Sequence, residues 1–94
     1  MEWISVKDSP LIYESPTGTK YPTKKGKERF LCAIPYEGLH EKKTIWWVSF
    51  VTLNDDCSIH EIGFDNEDGE ITEYLNWSGH DITHYIPEPE PPKQ

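Results

Sequence analysis

Only two of the 94 residues are cysteine, Cys32 and Cys57. Small secreted domains usually carry four or more, so two reduced, partly buried thiols are expected rather than a disulfide framework. No stretch approaches the roughly 20 apolar residues that cross a bilayer. Met1-Glu2-Trp3 opens without a basic start or an apolar run, so no targeting segment is expected and the cytoplasm is the default compartment. Clean helical periodicity is missing too. No 11-residue window keeps an apolar stripe at 3.6-residue spacing, and eight prolines interrupt many windows. Most pointedly, residues 44–92 contain no Lys or Arg but eleven Asp or Glu. Clustered cations are what phosphate contacts need, so direct nucleic-acid binding is disfavoured.

What is present is β-branched and aromatic. Aromatic residues make up 13% of the chain and include Trp3, Trp46, Trp47 and Trp77. Such side chains bury about 150–250 Å² each, which suits the core of one small domain spanning residues 1–94. The net charge of −8 is uneven: residues 1–43 balance at +2 and residues 44–92 at −11. One reading is a surface that resists aggregation, and the other is an acidic face for a basic partner.

Short apolar runs separated by turn residues predict strands. Trp3 to Val6 alternates Ile4 and Val6 against Trp3 and Ser5. Residues 7–27 hold three prolines, two glycines and five lysines and read as a mobile Lys-rich loop. Its length is unusual for a compact domain, which leaves room for a function or a short hidden element. Arg29 to Tyr36 places Phe30, Cys32, Ile34 and Tyr36 on one face, and Pro35 implies that this strand reaches a sheet edge. Thr44 to Leu53 alternates Ile45, Trp47 and Val51 with Trp46, Val48 and Phe50. A strand apolar on both faces belongs at a sheet centre, covered on both sides. Further strands are read over Ser58–Phe64, Ile71–Trp77 and Ile82–Ile86, with turns at 54–56, 65–69 and 78–81. The 87–94 tail reads as extended polyproline. The fold class is therefore mainly β: a small curled antiparallel sheet or sandwich of about five to six strands, with α+β as the alternative.

Candidate chemistry is sparse. His80 and His84 are four apart, a metal-binding spacing on a helix, but on extended chain they lie about 13 Å from each other. Cys57, His60 and Cys32 could supply zinc ligands, yet no paired C-x-x-C exists, and no metal or cofactor is expected. The acidic 65–70 run has its Gly at the wrong place for a calcium loop. No nucleophile elbow or phosphate-binding glycine loop occurs, so no enzyme is expected and no catalytic residue is assigned. What remains is surface. Trp46 and Trp47 point to opposite sheet faces, so whichever is exposed beside Tyr74 and Trp77 would form an aromatic platform for a partner or ligand. His84 reads either as a core histidine or as a polar group in an aromatic pocket, with Tyr85 beside it. Glu67, Asp68 and Glu70 would lead an acidic face.

Both ends resemble a known family. Trp3-Ile4-Ser5-Val6 with Asp8 and Pro10, and Ile82-Thr83-His84-Tyr85-Ile86-Pro87-Glu88-Pro89-Glu90-Pro91-Pro92, resemble the opening and the close of small phage and prophage proteins in the domain of unknown function 551 family. Phe30 to Ala33 and Ile59 to Asp65 could stand in for its inner strands. Tyr85 replaces the usual Trp, and the Lys-rich loop and Trp46-Trp47 strand look longer than in typical members. The resemblance implies a phage-derived origin in a bacterial cytoplasm and no activity. The expected function is a non-enzymatic accessory protein that binds another protein, with a small-ligand module as the alternative. No membrane partner is expected.

Overall fold

Period-two alternation in residues 30–53 organises the molecule. The computed structural model describes residues 2–38, 40, 42–62, 77–89 and 92. Strands β1 (Ile4–Ser5), β4 (Phe30–Glu37), β5 (Thr44–Leu53), β6 (Ile59–Glu61) and β7 (His84–Pro87) form one open antiparallel sheet in the order β1-β7-β4-β5-β6. A second, two-stranded sheet joins β2 (Ile12–Glu14) to β3 (Lys20–Pro22). The chain is thus mainly β, as its alternation predicts.

β4 and β5 pair over eight residues each, from Phe30↔Val51 to Glu37↔Thr44. That register puts Phe30, Cys32 and Ile34 on one face with Val51 and Trp47, and Leu31 and Ala33 on the other with Phe50 and Val48. Pro35 fits because β7 pairs only with Phe30 to Ala33. The Ala33 carbonyl turns toward β7 and accepts the Thr83 N–H at 3.1 Å. The Pro35 nitrogen points to that same side, beyond the end of β7, so its missing N–H removes no ladder bond.

The 7–27 stretch is a correction to the loop reading. A hairpin turns at Gly18, which has φ of +86°, with the Gly18 N–H on the Ser15 carbonyl at 2.9 Å. A single helical turn, α1 (Lys24–Lys27), follows; the Thr23 hydroxyl caps it by accepting the Gly26 N–H. Three-residue strands that expose Tyr13 and Tyr21 carry no apolar alternation, so periodicity could not reveal them. What anchors this segment is Leu11, buried in the core, with Ile12 packed against it.

Leu11, Phe30, Cys32, Ile34, Val51, Leu53, Ile82 and Tyr85 form the core. They lie between the sheet and the segments that cross one of its faces. Trp77 adds an aromatic edge, 5.5 Å from Trp47 and 5.3 Å from Tyr36 between ring centroids. A 3₁₀ turn over Gly79–Asp81 leads into β7, closed by a capping box in which the Ser78 hydroxyl and the Asp81 carboxylate each accept a backbone N–H. The expected strands and turn over residues 63–76, and residues 90, 91, 93 and 94 of the proline-rich tail, lie outside the described residues.

Both cysteines are free and buried. Burial pushes the Cys32 thiol up to about 12 from an ordinary 9.0, and burial raises Cys57 as well. A thiol whose pKa is raised on folding favours the fold fully below the unfolded value. That contribution is lost as pH rises from about 9 toward about 12. Wild type should therefore lose unfolding free energy more steeply than Cys32→Ala between about pH 8 and about pH 10.5, measured by urea titration at each pH. Equal slopes for the two proteins would contradict it.

Candidate functional site

The sheet has two faces, and the described residues cover one. On the covered face, Trp47 packs among Ile34, Tyr36 and Trp77. On the other face, Trp46 is 48% exposed, Val48 47% and Trp3 42%. Coverage of β5 on both sides, expected from its two apolar faces, is thus corrected: one apolar face of this strand meets solvent. Exposed apolar side chains that adjoin one another mark binding surfaces more often than scattered ones do.

The open face carries a hollow of about 420 Å³ lined by Trp3, Ala33, Trp46, Val48 and His84. Its residues come from four strands or their flanks. Trp3 leads into β1, His84 opens β7, Ala33 sits in β4, and Trp46 and Val48 alternate along β5. β1 and β7 pair through Ile4↔Tyr85 and Ser5↔His84, so the two ends of the chain lie side by side. The segments that carry the terminal family resemblance therefore meet here, each contributing one ring to the hollow.

His84 is half-buried and stands edge-on to Trp46, 5.8 Å between centroids. Its Nδ1 lies 2.9 Å from the Thr83 hydroxyl, which in turn donates to the Ala33 carbonyl at 3.5 Å. Of the two readings open for this histidine, the structure places it in an aromatic hollow. Tyr85 is the opposite case. It is 1% exposed, pairs with Cys32 and Ile4 on the core face, meets Phe30 edge to face at 5.9 Å, and donates its hydroxyl to the Ser9 carbonyl at 3.1 Å. Its assignment to a partner surface is corrected; within β7 His84 and Tyr85 alternate, while Ile82, which precedes the strand, is buried with Tyr85 and not on the face of His84. Trp47 and Trp77 likewise lie on the covered face, so they do not share a platform with Trp46. Tyr74, Glu67, Asp68 and Glu70 lie outside the described residues.

Three carboxylates of the acidic 44–92 stretch have internal partners. Asp55 pairs with Lys27, Glu61 accepts a 2.9 Å hydrogen bond from Ser49, and Asp56 accepts from both the Ser58 hydroxyl and N–H. Those Ser58 bonds hold the Asp56 carboxyl below the usual range. Among the described residues no three of His, Cys, Asp and Glu gather as metal ligands, and no helix is long and apolar enough to cross a membrane.

Sequence reasoning missed Trp3, Ala33 and Val48. The alternation of Trp3 against Ile4 and of Val48 against Trp47 was the available signal. That these positions converge depends on β1 pairing with β7 across 80 positions of chain, which no local pattern encodes. The fold and site together define an open-faced antiparallel β protein with an aromatic surface hollow. In comparison with known proteins, no family model, no curated protein and no solved structure matches the chain.

Proposed function

We propose that this protein is a non-enzymatic binding module, an accessory protein of phage or prophage type, that engages another protein through the open face of its five-stranded sheet. One observation carries the reading: Trp3, Trp46 and Val48 are exposed together around one hollow, while the opposite face of the same sheet is packed. Leaving 42% of Trp3 and 48% of Trp46 exposed forgoes part of the stabilisation that burying a large apolar side chain brings. Tryptophan is also the residue type most enriched among interface hot spots. The phage origin and bacterial cytoplasmic setting rest on the terminal resemblance.

Trp46→Ala and Val48→Asp test the reading, because exposed positions alter stability by only about 0.5 kcal/mol. A partner retained from bacterial host lysate by tagged wild type should be lost by both variants, with thermal midpoints little changed. Hot-spot truncation of this kind weakens binding by at least about 2 kcal/mol, roughly thirtyfold. Undiminished capture of the same partner by both variants would remove the open face from the interaction.

A further inference from the structure

Resting on that reading of the open face, we propose that the hollow between Trp3 and Trp46 receives an arginine side chain of the partner protein. Three observations lead there. First, the lining offers rings and no charge: two exposed indoles, the His84 imidazole, and a floor of Ala33 and Val48. An arginine side chain matches such a site along its length. Its aliphatic stem packs on small apolar residues, and its planar, weakly hydrated guanidinium stacks on aromatic faces.

Second, this sheet face already holds one such contact of its own. The Arg29 guanidinium lies 5.0 Å over the Phe50 ring. Phe50 shares the face of Leu31, Ala33 and Val48. No corresponding cation lies over Trp3 or Trp46 among the described residues. The sheet therefore presents one aromatic position capped by an internal arginine and two that are uncapped.

Third, charge selects the partner. The chain carries a net charge of −8. A net charge of that sign attracts a cationic partner and disfavours a second copy of this chain, which would bring another −8. His84 adds a directional element. Its Nδ1 is engaged with the Thr83 hydroxyl at 2.9 Å. In the tautomer that donates from Nδ1, the ring offers its Nε2 lone pair to a guanidinium N–H.

The test titrates ¹⁵N-labelled full-length protein with a blocked pentapeptide carrying arginine between leucines, and with the same peptide carrying citrulline. Citrulline keeps the length and planar shape but is uncharged, with a carbonyl oxygen in place of one guanidinium amino group. The arginine peptide should move the Trp3 and Trp46 indole signals and the Val48 amide. It should bind about tenfold more tightly than the citrulline peptide, and its affinity should fall as salt rises. Trp46→Leu, which keeps an apolar side chain without the indole, should remove that tenfold preference. His84→Phe, which keeps a ring without the acceptor, should weaken the arginine peptide a few-fold. Equal binding of the two peptides, or no shift at these residues up to about 10 mM peptide, overturns the proposal. If Trp46→Ala still abolishes partner capture in that case, the open face stands as the interface and only arginine is excluded. Concentration-dependent dimers abolished by Trp46→Ala would assign the hollow to a second copy and overturn it as well.

Discussion

Leu53→Ala should destabilise the protein by about 2–5 kcal/mol, a large share of the roughly 5–15 kcal/mol expected for a domain of this size. Leu53 ends β5 and is buried where two glycines close on it. A Cβ added at Gly79 would meet the Leu53 methyls at 2.9 and 3.0 Å, and one at Gly26 would meet Leu53 Cδ1 at 3.0 Å and the Leu11 carbonyl oxygen at 2.9 Å. The side chain therefore joins the 3₁₀ turn to the helical turn α1 on the core face. The same geometry predicts a coupling pattern. Gly79→Ala alone should be destabilising by about 1–3 kcal/mol through overpacking. Combined with Leu53→Ala, it should add at least about 1 kcal/mol less than its single-mutant effect, because the methyls it strikes are gone. Gly26→Ala should keep most of its effect in the same background, since the Leu11 backbone remains. Urea denaturation of the two double-mutant cycles checks this, and strict additivity at Gly79 would show that the 3₁₀ turn moves away from Leu53 freely.

Tyr85→Ala should be as severe, about 3–5 kcal/mol, and Tyr85→Phe about 1–1.5 kcal/mol. The two substitutions separate the roles of one side chain. The ring fills the core beside Phe30 and Cys32, and losing it leaves a cavity between β7 and β4. The hydroxyl donates to the Ser9 carbonyl, which ties β7 to the residues preceding the N-terminal hairpin. Tyr85→Phe leaves that carbonyl without its donor and should loosen the N-terminal segment before the sheet. Hydrogen exchange should show the Gly18 and Thr23 amides of the hairpin losing protection more than the β4–β5 amides do. Equal loss in both would mean that hairpin and sheet open as one unit.

The two residues also show where sequence reading stops. Period two is a local property, so the alternation of Trp46 against Trp47 and of His84 against Tyr85 was legible from the chain alone. Turn chemistry was legible for the same reason, at Asn54 to Asp56 and at Ser78 to Asp81, where short polar side chains bond to nearby backbone. The choice of covered face was not. It depends on Leu11, Gly26, Gly79 and Ile82 arriving from distant parts of the chain to pack beside Leu53. The 7–27 hairpin has a weak local signature, because it is held by a few anchors and not by an apolar stripe.

The sequence by itself determined an antiparallel β protein, the strand alternation, the lopsided charge and two tryptophans on opposite faces of one strand. Only the tertiary structure decided that Trp47 is core and Trp46 is surface, that Tyr85 is inside and His84 outside, and that Trp3 joins them from the other end of the chain. The physical reason is that alternation specifies two faces without labelling either. The label comes from long-range packing, here from the N-terminal segment and the 77–82 segment settling on one side of the sheet, while Trp46 and Val48 on the other stay exposed.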